Sequence, residues 1–466
     1  MNRLICAVLG LLTLAACSLA PDYSRPEAPV PATWPTGAAY QESATQTDRA
    51  VADIPWQEFF VDPQLQKLIA LALENNRDLR VAVLNIERSR AQYRIQRAEL
   101  FPQVDALGEG SGRRVPAALA GNDNAETTHQ YRADLAVSAY ELDLFGRVRS
   151  LNEQALEQYL ASEQARRSVQ ISLVSEVAAN YLTLAADQER LSLAKETLAN
   201  YQVSFDLTRS RFEAGVANAL DYNQAKATVE AARGEIARYT TFVAQDENAL
   251  NLVVGTPLPA ELLPSALSET LTAIKDLPPG LPSEVLLKRP DILQAESQLK
   301  GYNANIGAAR AAFFPRVILV STIGTGSAEL SGLFEDGSMV WSFAPRITLP
   351  IFDAGRNRAN LQVAEVDRDI AIARYEQAIQ TAFREVADAL ARRGTIDEQL
   401  SAQQALTNAT AESYQLSLAR FEKGIDNYLA VLVSQRFLYG AQQNLISARL
   451  VRLDNLVTLY KVLGGG

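Results

Sequence analysis

The chain has 466 residues, a formal net charge of −10 and only two cysteines. This acidic balance, without a basic run, argues against a nucleic-acid partner. The length is sufficient for one large fold or for two to three ordinary domains. His129 is the only histidine, so neither a histidine-based metal site nor Ser-His chemistry has the residues it needs. We therefore predict no enzyme activity, no metal and no bound cofactor.

The first residues predict export from the cytoplasm. Arg3 precedes a short apolar run that ends in small residues, which is typical of a signal peptide cleaved after Ala16. The stretch LAAC at 14–17 resembles a bacterial lipobox, which implies that Cys17 becomes the first mature residue and carries diacylglycerol and an N-acyl chain. Ser18 after the cysteine favours transfer to the outer membrane. The alternative is an ordinary signal peptide with an incidental cysteine.

Beyond this point the chain begins with a polar, proline-containing stretch. Residues 18–52 are rich in Pro, Ala, Thr and Gln, a composition that predicts an extended tether without a core. No later apolar stretch is long enough to cross a bilayer as a helix, which needs roughly 20 residues. Any crossing of a membrane must therefore be made by strands.

The remainder of the chain is predicted to be internally duplicated. The sequence RFEAG at 211–215 recurs as RFEKG at 420–424. Residues 60–255 align with 270–464, first at an offset of 213 residues and later at an offset of 209. Both copies are predicted to contain a helix, two strands with a two-residue period, and two long helices.

In the first copy, a helix at about 64–100 is followed by strands on either side of a glycine-rich loop at 108–128. No Pro or Gly occurs from Arg147 to Phe212, which predicts one helix of about 66 residues, with an apolar residue every seven positions. Gly215 ends this helix, and Asn218 caps a second helix that runs to about Val254.

The second copy is predicted to repeat this order. A helix at 290–313 precedes strands at Val317–Thr322 and Val340–Ile351, which flank a loop at 324–338. A long helix from about Asn357 to Lys423 turns at Gly424, with Asp426 as the cap of the last helix, which ends near Leu463. Each RFExG sequence is thus the turn of a long antiparallel helical hairpin.

The predicted fold class is mainly α with membrane β. Four strands per chain cannot close a barrel in lipid, since natural barrels have at least eight and an open edge leaves backbone groups unpaired. Three copies would give twelve strands, whereas two would give a barrel too narrow for a passage. We predict a trimer whose twelve-stranded barrel continues as a helical barrel.

The predicted segments are a signal peptide at 1–16, an acylated tether at 17–60, a first repeat at 61–255 with its β-hairpin at 103–145 and helical tip near 215, an equatorial linker at 256–289, and a second repeat at 290–466 with its β-hairpin at 315–352 and tip near 424.

Several stretches together resemble one known family over nearly the whole mature chain. They are CSLAPDYSRPEAPVP at 17–31, WQEFFVDPQL at 56–65, ENNRDLRVA at 74–82, LPSEVLLKRPDI at 281–292, IGAARAAFFP at 306–315, LPIFDAGR at 349–356 and the two RFExG turns. The family is that of the outer membrane factors of tripartite efflux systems, the TolC-like channels, and within it the acylated NodT/OprM-type lipoproteins.

This resemblance implies an outer-membrane channel that extends into the periplasm. It would receive small molecules from an inner-membrane pump, usually of the resistance-nodulation-division class, through a periplasmic adaptor. Two alternatives stay open: an outlet for type I protein secretion, which uses the same architecture, and an acylated coiled-coil scaffold without a lumen. The duplicated amphipathic strands argue against the scaffold.

The resemblance also implies functional residues at the two turns. Adaptor hairpins would dock at the tips around Gly215-Val216 and Gly424-Ile425, although turn formation alone explains the glycines. Leu429 and its first-copy match Leu220 would form a periplasmic gate, or pack as core residues. Some relatives close the gate with a link from an Asp to a Tyr and an Arg. This chain has the acid, Asp221, but Phe421 and Asp426 at the other two positions, which leaves Arg436 as the candidate partner and predicts a gate closed more by apolar packing.

Overall fold

The computed structural model describes residues 18–40, 51–120, 125–268, 270–272 and 285–465. The signal peptide, Cys17 and parts of the predicted tether and linker lie outside the described residues. The helices are α1 (Pro63–Asn75), α2 (Arg77–Ala98), α3 (Arg147–Glu213), α4 (Ala219–Val254), α5 (Pro290–Ala311), α6 (Arg356–Glu422) and α7 (Tyr428–Val462), with four-residue helices at Trp56–Phe59 and Ala117–Ala120. The strands are β1 (Asp105–Val115), β2 (Glu126–Leu142), β3 (Arg316–Ser327), β4 (Met339–Phe343) and β5 (Arg346–Thr348).

The long helices confirm the prediction from the absence of helix breakers. Helices α3 and α6 each contain 67 residues, or about 100 Å at a rise of 1.5 Å per residue. An 18-residue window of α3 has a mean hydropathy of 1.2, which is apolar enough to cross a membrane by composition, but 56% of that window is buried within the chain. This is the pattern of a helix packed in a protein core.

The internal duplication is visible in the backbone as well as in the sequence. Glycines at equivalent positions of the two copies have positive φ angles, which favour glycine because it lacks a Cβ atom. At an offset of 209 residues the pairs are Gly146 (76°) with Gly355 (86°), Gly215 (75°) with Gly424 (72°), and Gly255 (82°) with Gly464 (79°). Each pair marks the same helix boundary, so the two copies share one backbone plan.

The predicted single helix at 64–100 is wrong, because the chain breaks between α1 and α2. Asn76 has an extended backbone, with φ −63° and ψ 133°. Its side-chain oxygen accepts a hydrogen bond from the Leu79 amide (2.9 Å), and its side-chain nitrogen donates to the Val253 carbonyl (2.8 Å). A polar side chain therefore ends one helix, caps the next and binds the end of α4.

The predicted loops at 108–128 and 324–338 are also wrong, because the strands extend into both of them. Strand β1 continues to Val115 and β3 to Ser327. Gly324 is required there by close strand packing, since a Cβ atom on it would lie 2.1 Å from the Ala133 carbonyl oxygen. The predicted strand at Val340–Ile351 is instead divided into β4 and β5, at Pro345, whose ring nitrogen has no hydrogen to donate to a neighbouring strand.

The strands form one antiparallel sheet in the order β1-β2-β3-β4, and β5 also pairs with β3. The register brings Ala106 opposite Leu135, Leu135 opposite Ile323, and Ile323 opposite Trp341. The two predicted hairpins are thus joined directly through β2 and β3. One chain supplies four strand positions, with the fourth shared by β4 and β5.

The chain divides into two compact units that each contain residues from both copies. One unit contains the sheet, and its residues are 1–27, 85–163 and 294–376. The other contains both helical turns, and its residues are 28–84, 164–293 and 377–466. Its core includes Phe59 stacked on Tyr460 at 4.3 Å between ring centroids, both buried. The sequence is therefore divided into two copies, but each compact unit of the structure is built from residues of both copies.

Residues 18–27, here called the docked segment, lie in the predicted tether but contact α5 closely. The Arg25 guanidinium donates two hydrogen bonds to the Glu296 carboxylate (3.0 and 2.9 Å). Asn303 donates to the Pro21 carbonyl (2.7 Å), and Arg310 donates to the Leu19 carbonyl (3.2 Å). The segment has no helix or strand, as predicted, but it is held along one helix by specific polar contacts.

The docked segment is expected to release at acid pH. Burial disfavours the charged form of Glu296, but the hydrogen bonds and charges of Arg25 and Lys300 outweigh burial and lower its pKa below the ordinary 4.5. A lowered pKa adds stability that is complete above the ordinary value and is lost as the pH falls through the folded-state value. A nitroxide at Asp22→Cys, in a chain whose two native cysteines are replaced by alanine, should be immobile at pH 7 and mobile well below 4.5.

Two variants test the cause of this release. Glu296→Gln should leave the nitroxide mobile at pH 7, because the neutral amide cannot form the charged pair. Glu27→Gln, which changes an exposed carboxyl of the same segment, should leave the pH profile unchanged. An immobile label in Glu296→Gln at pH 7 would show that other contacts hold the segment.

Candidate functional site

The first candidate site is the sheet, whose two faces differ in chemistry. The row of Ala106, Leu135, Ile323 and Trp341 crosses all four strand positions on one face. The adjacent rows of that face add Ala133, Val137, Met339 and Phe343. Within the single chain the apolar side chains are exposed, with Trp341 at 69% and Leu135 at 54%.

The opposite face of the sheet carries several charged residues. Glu109 lies opposite Arg132 in the register, and the Arg132 guanidinium lies 3.1 Å from the Asp134 carboxylate. Leu107 and Val340 lie in the same register row as Asp134, so this face also carries some apolar residues. A sheet with a mainly apolar face opposite a face that carries Glu109, Arg132 and Asp134 is the pattern of a barrel that crosses lipid and encloses a polar interior.

Both edges of this sheet are open within the single chain. Strand β1 pairs only with β2, and β4 and β5 pair only with β3, among the residues that the structure describes. Unpaired backbone groups at a sheet edge cost several kcal/mol each in hydrocarbon. The apolar face and the open edges therefore require neighbouring strands before the sheet can lie in a membrane.

The second candidate site is the pair of turns between the long helices. After α3, the Val216 amide donates to the Arg211 carbonyl (2.8 Å), and after α6 the Ile425 amide donates to the Arg420 carbonyl (2.9 Å). These bonds close the two helix ends in the same way, with the preceding glycine in the left-handed conformation. The predicted docking residues are exposed at both tips, and Val216 is 79% exposed.

The caps that follow the turns confirm one prediction and correct another. Asn218 caps α4, as predicted, by accepting a hydrogen bond from the Asp221 amide (2.9 Å). Helix α7 is capped by Asn427, which accepts from the Ala430 amide (3.3 Å), so Asp426 is not the cap. The Asp426 carboxylate instead accepts two hydrogen bonds from Arg420 (2.6 and 3.1 Å), which lower its pKa.

The arginines of the two RFExG sequences have different partners. Asp426 binds Arg420, but the equivalent position in the first copy is Ala217. Arg211 therefore lacks a carboxylate there, and its guanidinium lies over the Phe421 ring at 4.6 Å. A cation over an aromatic face is attractive, so the first turn contacts the second through their shared motif. Sequence comparison of the two copies contains this signal, in the change from Ala217 to Asp426.

The predicted gate residues are divided between a buried cluster and the surface. Phe421 is buried with Tyr428, Val431, Leu432 and Ala225. Leu220 and Leu429 are exposed, at 64% and 47%. Among the described residues no hydrogen bond or ion pair joins Asp221 to Arg436, which is itself exposed. The roles of these residues in a gate, and of the tips in docking, stay predictions.

An amphipathic sheet with open edges and two helical hairpins, whose first helices are each about 100 Å long, define a class of protein, the outer-membrane channel that extends into the periplasm. The model of the outer membrane efflux protein family matches residues 68–256 and 281–465. The toluene efflux pump outer membrane protein TtgC of Pseudomonas putida is 52% identical over 466 residues, which is all of this chain and 96% of that protein. The outer membrane protein OprJ of Pseudomonas aeruginosa is 47% identical over 99% of this chain and 95% of its own length.

Solved structures agree with these sequence relatives. The open state of the Neisseria gonorrhoeae MtrE outer membrane channel is 40% identical, with a TM-score of 0.88 over 97% of this chain and 98% of that one. A membrane protein from Pseudomonas aeruginosa is 46% identical, with a TM-score of 0.90 over 96% of this chain and all of that one.

The chain belongs to the outer membrane efflux protein family. It is an outer-membrane efflux channel, and the role of its family is transport, which is not catalytic. The predicted family, fold class and location are confirmed.

Replacement of the turn glycines should destabilise the tips through backbone conformation alone. A Cβ atom at Gly215 would meet no heavy atom within 4 Å, yet φ is 75°. Gly215→Ala should therefore cost about 1–2 kcal/mol and increase hydrogen exchange at the Val216 and Ala217 amides, which bond to the Arg211 carbonyl.

A glycine inside a helix provides the matched control. Gly234 lies in α4, also with open space around its Cα and without a positive φ. Gly234→Ala should stabilise the chain by about 0.5–1 kcal/mol and leave exchange at the turn unchanged. Equal exchange in wild type and Gly215→Ala would refute the requirement for a left-handed residue.

Proposed function

We propose that three copies of this chain form a conduit with a continuous wall, which leads from the periplasm to the cell exterior. The observation that carries this proposal is the open-edged sheet, in which four strand positions present an apolar face. Three such sheets supply twelve strands, pair every edge and place the apolar faces toward lipid. The polar face, with Glu109 and Arg132, would line the aqueous passage.

The conduit would act as the outer part of a tripartite multidrug efflux pump. Its relatives carry names such as toluene efflux pump outer membrane protein and antibiotic efflux pump outer membrane protein. We propose that a periplasmic adaptor connects this chain to an inner-membrane pump of the resistance-nodulation-division class. The cargo would be small molecules, since these relatives are named for the efflux of toluene, solvents and antibiotics.

The helical tips would be the contact with the adaptor. Both tips end in an exposed branched apolar side chain, Val216 or Ile425, next to a glycine that brings the backbone close to any partner. Cys17 would carry the lipid that anchors each copy in the outer membrane, as its lipobox implies.

Native mass and particle shape test the assembly. The full-length protein, extracted in detergent, should have the mass of three chains with an added acyl mass on each. Electron microscopy should show hollow particles with threefold symmetry that extend well over 100 Å. Monomers or solid rods would refute the conduit, and three unacylated chains would refute the lipid while leaving the channel intact.

Leu429 is expected to restrict the closed conduit at its periplasmic end. Its side chain is exposed in the single chain, next to the buried tip cluster that contains Phe421 and Tyr428. Leu429→Ala shortens this side chain and should raise the leak conductance of single channels in a planar bilayer. Leu406→Ala changes an equally exposed leucine of α6, far along the helix from the turn, and should not. A conductance equal to wild type in Leu429→Ala would exclude it from the gate.

A further inference from the structure

The two copies contain equivalent clefts, but only one of them is filled. Both lie where the C-terminal end of a returning helix meets the start of a shorter helix. The first cleft, at the end of α4, measures about 700 Å³ and is lined by Asn76, Asp78 and Glu176. The second, at the end of α7, measures about 230 Å³ and is lined by Arg289, Asp291 and Glu385.

Arg289 occupies the second cleft with its own guanidinium. One nitrogen donates to the Val462 carbonyl at 2.8 Å, and another lies 2.7 Å from the Asp291 carboxylate and 2.8 Å from that of Glu385. The residue is only 8% exposed. This cleft therefore shows how the repeated architecture holds a planar cation, through two carboxylates and the carbonyl of the last residue of a helix.

The first cleft has the same acceptors but not the arginine. The position equivalent to Arg289 is Asn76, and its short side chain reaches the Val253 carbonyl, which is equivalent to that of Val462. Asp78 and Glu176 are equivalent to Asp291 and Glu385. Neither of their carboxylates has a hydrogen-bond or ion-pair partner among the described residues.

The net charges of the two clefts also indicate that the first cleft lacks a cation. Arg77 lines the first cleft, but its guanidinium donates to the Gly255 carbonyl at 3.1 Å and to the Asn75 carbonyl. With Asp78 and Glu176 the charged residues of the first cleft sum to −1. In the second cleft Arg289 and Lys461 balance the two carboxylates, so the sum is zero.

We propose that the first cleft is a binding site for a guanidinium cation, which would occupy the volume that the Arg289 side chain fills in the second copy. The carboxylates of Asp78 and Glu176 would accept its hydrogen bonds, since two carboxylates match the planar array of N–H donors. The cation is either a free small molecule or the arginine of a neighbouring copy of this chain.

Methylguanidinium is the probe for the free cation, with methylurea as its neutral isostere. Calorimetry on the full-length protein in detergent should detect binding of methylguanidinium but not of methylurea. Glu176→Gln should weaken this binding by roughly tenfold or more, because it replaces a charged acceptor by a neutral one. Glu385→Gln changes the equivalent residue of the second cleft and should leave the binding of methylguanidinium intact.

Asn76→Arg supplies the missing side chain from within the chain. It should abolish methylguanidinium binding, as Arg289 fills the second cleft. Because Asn76 also caps α2, this variant could misfold, and Glu176→Gln, which alters an exposed side chain, keeps the test independent of folding.

Oligomer mass distinguishes the two sources of the cation. If wild type binds no probe but Glu176→Gln dissociates the oligomer, the cleft is occupied by the arginine of a neighbouring copy. If wild type binds no probe and the oligomer mass is unchanged in Glu176→Gln and Asn76→Arg, the first cleft is not a guanidinium site. Equal probe binding by wild type and Glu176→Gln would refute the proposal in the same way. None of these results bears on transport, so the efflux function is tested separately.

Discussion

The pairing of backbone hydrogen-bonding groups at the sheet edges is the constraint on which this structure depends. In water an open edge binds solvent, but in hydrocarbon each unpaired N–H or C=O group costs several kcal/mol. One chain has both an exposed apolar face and two open edges, so its sheet is complete only beside other strands. The long helices carry no such deficit, since their backbone bonds lie within each helix. The need for neighbouring chains therefore arises from the unpaired strand edges and not from the helices.

Duplication supplies the same backbone plan twice, and a few substitutions then separate the roles of the copies. Ala217 and Asp426 occupy equivalent positions, and this single difference sends one arginine to an aromatic ring and the other to a carboxylate. Asn76 and Arg289 are likewise equivalent, yet one leaves a cleft open and the other fills it. Glycine turns that both copies share, with neighbours that differ between the copies, allow one fold to present two different surfaces.

Much of the fold is readable from the sequence, because the long helices follow from the absence of Pro and Gly and their turns from repeated glycines. The break at Asn76 has a local cause, the cap on the Leu79 amide, and a distant cause that no local pattern shows, the hydrogen bond to Val253, 177 residues away. The strands are longer than the sequence predicts, because glycine usually indicates a loop, whereas Gly324 is required by the close approach of the Ala133 carbonyl. The carboxyl of Asp426 suits a helix cap, but Asn427 is one residue nearer to α7 and caps it, and Arg420 binds the Asp426 carboxylate.

The docked segment has a consequence for how the chain would meet a membrane. Arg310 holds the Leu19 carbonyl, and α5 leads after Ala311 directly into β3 at Arg316. Residue 17 is only two residues from Leu19, a reach of about 7 Å for an extended chain. A lipid at that position would be joined to the docked segment by a linker of only two residues. Its acyl chains would then enter the bilayer beside the base of the sheet. Acylation would then fix the depth of the strands in the bilayer, in addition to keeping the protein at the membrane.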